Sequence, residues 1–262
     1  MRLLMCKPKY YQVEYDINPW MADNAWNVNR ELAMKQWTRL YETLRAYAHV
    51  ELIEQHFSLP DMVFTANAGV VRGGDRVLLS NFNTEERSPE EWWFQNWFEK
   101  NGYVTIHQTN YAFEGSGDFL SNPNKTENYF GHGFRSNSLA GNYFKTLDHS
   151  ITFTSVKLTD RRFYHLDTCF CPLDHDKILC YPAAIDGVSL EFISRRKQII
   201  PVSEEEAKKF ACNAIVIGKD IFMPECWETA NTLSKLGFTP HLFEMSEFIK
   251  AGGACRCLVM EI

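Results

Sequence analysis

Short apolar runs along this chain alternate with turns marked by glycine and aspartate. Within residues 67–109, NAGVVRGGDRVLLS reads as two strands joined at Gly73-Gly74-Asp75. SPEEWWFQNWFEKNG then reads as a helix, with Ser88 as N-cap, Pro89 at the first helical position and Gly102 as the stop. YVTIHQT returns as a strand. Residues 213–245 repeat the order. NAIVIGKDIFMP turns at Gly218-Lys219-Asp220, ECWETANTLSKLG is a helix ended by Gly237, and PHLFEM is a strand. Residues 167–202 give a looser copy, with DTCFCPL and ILCYP as its first two strands. From Arg30 to Ala48 the apolar positions Ala33, Trp37, Leu40, Tyr41, Leu44 and Ala48 share one helical face, the helix of a further unit.

Three units of one kind imply internal repetition of an α/β element in the order strand, strand, helix, strand. Such units set radially close into a propeller-like ring with no free sheet edge. No linker or low-complexity stretch interrupts them, so a single domain over residues 1–262 is expected.

Composition narrows the function classes. Hydrophobic residues make up 45% and aromatics 14%, ample for a continuous core, and the formal net charge is −6. The densest basic runs, Arg161-Arg162 and Arg195-Arg196-Lys197, are too short for a nucleic-acid stripe. No apolar run approaches the roughly 20 residues of a bilayer span, and the N-terminus does not read as a signal peptide. A cytoplasmic protein with eight reduced cysteines is the expectation, bound to neither membrane nor nucleic acid. Homo-oligomerisation is left open.

Several residues could carry chemistry. In KAGGACRCLVMEI, two glycines let backbone approach a ligand. Cys257 sits where that loop meets an expected strand, with Cys255 two residues back on the same face. In FYHLDTCFCPL, His165 and Asp167 are two apart and would share a strand face, a proton shuttle beside a cation-binding carboxylate. Zinc ligation by His165, Cys169, Cys171 and Cys180 is an alternative use of the same stretch. FEGSGD sets Glu114 and Asp118 among glycines, and LPDMVFTANAG sets Asp61 and Asn67 in an apolar frame, where a polar group needs a partner or ligand. Arg87 and Arg135 are planar forks suited to a substrate carboxylate. Asn67 and Asp167 both open the first strand of a unit, so a ring would bring them to a common centre.

The segments INPWM, LPDMVFTANAG, FEGSGDFL, GFRSNS, YHLDTCFCPL, ACNA and AGGACRCL, in this order, resemble the guanidino-modifying superfamily. That superfamily has the pentein fold, a five-fold pseudosymmetric α/β propeller of ββαβ repeats. It includes arginine deiminases, dimethylarginine dimethylaminohydrolases, amidinotransferases and arginine dihydrolases. The resemblance implies Cys257 as nucleophile, His165 as general acid/base, and Glu114 as its acidic partner or a substrate ligand. It also implies guanidino contacts at Asn67 and Asp167, carboxylate contacts at Arg87 and Arg135, and a loop over the site carrying Asn18. Asp61 and Asp118 complete the expected substrate-binding set. No metal or organic cofactor is implied, and the partner is a small molecule, arginine or a methylated arginine.

One position separates the subfamilies. Deiminases and dimethylarginine hydrolases carry aspartate where this chain has Asn67, whereas arginine dihydrolases carry Thr-Ala-Asn as here. A carboxamide offers donors as well as an acceptor, and could hold a neutral urea-like intermediate for a second hydrolysis. The resemblance therefore favours ornithine, ammonia and carbon dioxide as products. A dimethylarginine hydrolase or deiminase giving citrulline is the alternative, with transfer to another amine and a non-catalytic binding module behind it.

Overall fold

In the computed structural model, which describes residues 1–262, fifteen strands form five three-stranded sheets. The chain begins with β1 (Arg2–Cys6), α1 (Arg30–Leu44) and β2 (His49–Ile53). The next unit is β3 (Gly69–Arg72), β4 (Arg76–Leu79), α2 (Glu90–Lys100) and β5 (Val104–Ile106). It is followed by β6 (Phe119–Ser121), β7 (Asn128–His132), α3 (Phe144–Leu147) and β8 (Thr154–Lys157). Then come β9 (Phe170–Pro172), β10 (Lys177–Cys180), α4 (Gly187–Ser194) and β11 (Gln198–Pro201). A short α5 (Glu204–Ala207) leads to β12 (Ile215–Ile217), β13 (Asp220–Pro224), α6 (Trp227–Lys235) and β14 (Thr239–Phe243). After α7 (Ser246–Ile249), β15 (Met260–Glu261) lies beside β1.

Every sheet follows one rule. The first strand pairs antiparallel with the second, and the second pairs parallel with the third. The fifth sheet obeys it across the chain ends, with β15 antiparallel to β1 and β1 parallel to β2. Last strand and first two strands thus make one unit, which closes the ring. Residues of β3, β6, β9 and β12 and of the β15–β1 edge wall a common axial cavity. The helices lie outside and bury one face: Ala33, Trp37, Leu40 and Leu44 of α1, Phe94 and Phe98 of α2. Burying a leucine or phenylalanine among them stabilises the fold by roughly 1.5–3 kcal/mol each.

The three units read from the sequence are all present, but the structure corrects their details. The unit over 119–157 escaped the pattern because its helical part is a 3-10 stretch, Ser138–Tyr143, running into the four-residue α3. Too few apolar positions recur there to show a period. Helix α2 starts at Glu90, with Pro89 rather than Ser88 flanking it, and α1 stops at Leu44, short of Ala48. His165 and Asp167 do not share a strand face. A 3-10 turn over Leu166–Thr168 rotates them apart, and β9 begins only at Phe170. The C-terminal strand is likewise limited to Met260–Glu261, and residues 255–258 form a turn. No helix is long and apolar enough to cross a membrane.

Candidate active site

The loops that enter the first strands carry the chemistry. Cys257 lines a small, tightly closed cavity together with Asn18, Asp61, Asn67, Arg87, Arg135, Tyr164 and His165. Gly252 and Gly253 also line it, and Gly252 has a left-handed φ of +82°. A Cβ on Gly253 would lie 2.6 Å from the Phe64 ring and 3.2 Å from Cys257 Cβ, so only glycine fits beside the thiol. Cys255 is fully buried in the core and does not line the cavity. The turn over 255–258 therefore parts two cysteines that one strand face would have joined.

The Cys257 sulfur has two polar neighbours, Asn213 Nδ2 at 3.0 Å and Asp167 Oδ2 at 3.4 Å. Burial, reinforced by the Asp167 charge, pushes its pKa well above the usual thiol range. Without a ligand the sulfur holds its proton. Burial also raises Asp167, to about 7. Its second oxygen, Oδ1, has no hydrogen-bond donor. Asp167 lines the axial cavity rather than the Cys257 cavity, and meets the sulfur through Oδ2.

His165 and Glu114 form a buried pair, Nε2 to Oε2 at 2.7 Å. The Asn83 N–H donates to Glu114 Oε1 and the Arg135 guanidinium donates to Oε2 at 3.0 Å. Burial alone would raise the Glu114 carboxyl, yet Arg135, His165 and Arg87 outweigh it and hold it well below the carboxylate range. An ionised Glu114 fixes the His165 tautomer: Nε2 carries the proton toward it, and Nδ1 is left with no protein partner. Glu114 stands behind the imidazole, off the cavity wall.

Arg87 is less free than a ligand-gripping fork would be. Its Nε and Nη2 donate to the two oxygens of Glu90, both at 2.8 Å, and its Nη1 donates to Asn67 Oδ1 at 2.8 Å. Arg135 uses Nη1 on Glu114 and Nη2 on the Ile17 carbonyl. Of the five N–H groups of an arginine, three on Arg135 remain for a ligand. Because Arg87 can only donate, the Asn67 oxygen must face it. Asn67 Nδ2 then points at the Glu114 carbonyl, 3.2 Å away. Asp61 accepts from the Tyr15 hydroxyl at 3.0 Å through Oδ2, while its buried Oδ1 has no donor, and burial raises its pKa.

Asn18 lies on the loop that covers this cavity, held by Nδ2 to the Ala251 carbonyl and by Oδ1 from the Trp20 N–H. The Trp20 indole fastens the loop to the Arg162 carbonyl at 2.6 Å. Asp118, expected among the substrate contacts, does not line the cavity. Its oxygens take the Ser136 hydroxyl at 2.6 Å and the Leu166 N–H at 2.9 Å, and burial raises it to about 6. It supports the His165 turn instead. His165, Cys169, Cys171 and Cys180 do not converge, and no group of three or more His, Cys, Asp or Glu is placed to share a metal ion.

Reading the sequence missed Asn213, Tyr164 and Glu90. Tyr164 lines the cavity, packs its ring under Arg135 at 4.6 Å and donates its hydroxyl to the Gly252 carbonyl. For Asn213 a signal was available. Asn67-Ala68 and Asn213-Ala214 stand at the same offset before β3 and β12.

Five ββαβ units around one axis, the last completed by the first strands of the chain, make the pentein fold of the guanidino-modifying enzymes. A family model described as N,N dimethylarginine dimethylhydrolase, eukaryotic, matches residues 16–262, and the chain belongs to that family. Over 270 residues it is 42% identical to the bifunctional arginine dihydrolase/ornithine cyclodeaminase ArgZ of Synechocystis. All of this chain is covered there, but it spans only 38% of that relative's length. The solved N-terminal domain of ArgZ bound to substrate superposes with a TM-score of 0.95, covering 99% of this chain and 97% of that one. Another structure of that domain, an asparagine-to-serine variant, is covalently bonded to a reaction intermediate. The N(G),N(G)-dimethylarginine dimethylaminohydrolase of Mycobacterium tuberculosis is 34% identical over all of this chain and 85% of its own length.

Proposed function

We propose that residues 1–262 act as one catalytic unit that hydrolyses the guanidino group of arginine through a covalent Cys257 intermediate, giving ornithine, carbon dioxide and two ammonia from two waters. The observation that carries this reading is the carboxamide of Asn67 on the cavity wall, with its oxygen fixed by Arg87. The likeness to an arginine dihydrolase domain over the whole chain supports it.

The guanidinium lies beside Asn67 and Asp61 with its carbon at the Cys257 sulfur, where Asp167 is 3.4 Å away; both carboxylates have an undonated oxygen that suits a cation. The α-carboxylate takes the free N–H groups of Arg135, and the Asn18 loop closes over it. The cation favours ionisation of Cys257, and the sulfur adds to the central carbon. His165 passes a proton to the departing amine, and ammonia leaves. Water, relieved of a proton by His165, adds to the thiouronium carbon and the carbon–sulfur bond breaks. In the second round sulfur adds to the ureido carbon, a second ammonia leaves, and water releases a carbamate that splits into ornithine and carbon dioxide. Glu114 keeps the imidazole oriented throughout and stabilises it when it carries charge.

A second reading, hydrolysis of dimethylarginine to dimethylamine and citrulline, is favoured by the family model. Incubating the protein separately with arginine and with asymmetric dimethylarginine, and weighing the products, decides between them. Ornithine from arginine supports the first reading; citrulline with dimethylamine supports the second. A cytoplasmic location belongs to the same proposal.

A further inference from the structure

Asn213 is wholly buried, and its carboxamide is saturated. Oδ1 accepts the backbone N–H groups of Ala254 and Cys257, each at 3.1 Å. Nδ2 donates to the Asp167 carbonyl at 3.1 Å and to the Cys257 sulfur at 3.0 Å. Its backbone carbonyl accepts from the Arg256 N–H as well. Two N–H groups converge on one end of the amide, so that end must be the oxygen and the NH2 must face the sulfur.

From this geometry we infer that Asn213 is part of the catalytic machinery: it clamps the nucleophile loop and supplies the fixed hydrogen-bond donor to the Cys257 thiolate. The inference rests on Cys257 being the nucleophile, and adds a residue that works before substrate arrives. A buried sulfur needs help to carry charge, and Asp167, at 3.4 Å, opposes that charge. The other titratable groups on the cavity are His165, Tyr164, Asp61, Arg87 and Arg135. None of them has a hydrogen bond to the sulfur, whereas Asn213 does. An N–H donor to an anion is a charge-assisted bond, stronger than one to a neutral thiol, so it favours the ionised form.

The repeat supports the assignment. Asn67 and Asn213 occupy equivalent places in two units, and each Nδ2 donates to a backbone carbonyl at the entrance of a neighbouring unit, Glu114 for one and Asp167 for the other. The oxygens then diverge. Asn67 gives its oxygen to Arg87 and works at the cavity wall, while Asn213 gives its oxygen to the loop that holds the thiol. One motif serves substrate in one unit and nucleophile in another.

The test is the pH dependence of Cys257 alkylation by iodoacetamide, read from the mass of the Cys257 peptide, in the full chain and in Asn213→Ala and Asn213→Asp. The alanine removes the donor without adding charge; the aspartate keeps both acceptor contacts of the amide and removes the donor, but sets a carboxylate beside the sulfur that adds to the shift. Both variants are expected to raise the alkylation midpoint by about 1–2 pH units and to lower kcat about 100-fold or more. Arginine affinity, measured with Cys257→Ser as background, should change less than about threefold. A midpoint unmoved in the alanine variant, whatever the melting temperature of either protein, would overturn the inference, because a merely structural residue would behave that way. Should the alanine variant not fold, Asn213→Leu, which keeps the amide's size with neither a donor nor a new charge, decides in the same way. Alkylation is read without substrate, so a protein that turns over neither arginine nor dimethylarginine still tests Asn213 while refuting the proposed reaction.

Discussion

The Nε2 of His165 and Oε2 of Glu114 lie 2.7 Å apart in a pocket where neither side chain is appreciably exposed. Arg135 completes the group from the other side of the carboxylate. The contact fixes which imidazole nitrogen is protonated, and Nδ1 is thereby the one available for proton transfer. Glu114→Gln keeps the shape and removes the charge. It is expected to lower kcat about 100-fold or more while shifting arginine affinity only a few-fold, measured by steady-state kinetics and by calorimetry. Because Glu114 stays ionised far below neutrality, the acid limb of the wild-type pH–rate profile should not be the titration of this residue.

Asp167 makes stability and binding depend on pH. Its pKa is raised from the ordinary 3.8 to about 7 by burial, so the folded protein holds a proton that the unfolded chain releases. The contribution is therefore fully present below about pH 4 and is lost as pH rises toward 7, on the order of 4 kcal/mol across the window. Urea unfolding of Asp167→Asn should show a shallower decline between pH 4 and 7 than wild type. A guanidinium beside Asp167 favours its ionised form, so arginine binding to Cys257→Ser at pH 6 should release close to one proton. Calorimetry in two buffers of different ionisation enthalpy measures this.

Asn67→Asp tests the product assignment. The carboxamide hydrogens face the Glu114 carbonyl, and a carboxylate would turn an oxygen toward it instead. The new charge would hold a cationic guanidinium well and a neutral ureido group poorly. Ornithine formation should fall at least about tenfold relative to citrulline, scored by mass on arginine.

Gly117 gives a steric test. A Cβ there would collide with Asn67 Nδ2 and approach His165 Cγ to 3.4 Å. Gly117→Ala should cost about 1–3 kcal/mol of stability, yet lower kcat/KM by about 100-fold or more, since it displaces two site residues together. Thermal melting and kinetics on one preparation separate the two effects.

The sequence pattern revealed the architecture where strands and helices were strongly apolar. It failed in the unit over 119–157, where a 3-10 stretch of small and polar residues replaces a periodic helix. The chemistry-bearing residues were legible as types, but their directions were not. His165 and Asp167 are two apart, a spacing that a strand would place on one face; the turn over Leu166–Thr168 sends one to Glu114 and the other to the Cys257 sulfur. Arg87 looked like a free fork because nothing in the sequence showed that Glu90, three residues on, would turn back to take its Nε and Nη2. Asn213 was visible in the repeated Asn-Ala, though nothing in one dimension told that its amide would meet a thiol from 44 residues further along the chain.

The central claim is that the Cys257 sulfur bonds to the guanidino carbon. Acid quenching of the protein within the first turnover on arginine, followed by mass mapping, measures it directly. The Cys257 peptide should carry arginine less one ammonia, and no adduct should form on Cys255. Product accumulating over an unmodified Cys257 in Asn67→Ser or His165→Ala, variants chosen to slow release of the adduct, would contradict the account, as would an adduct on any other cysteine.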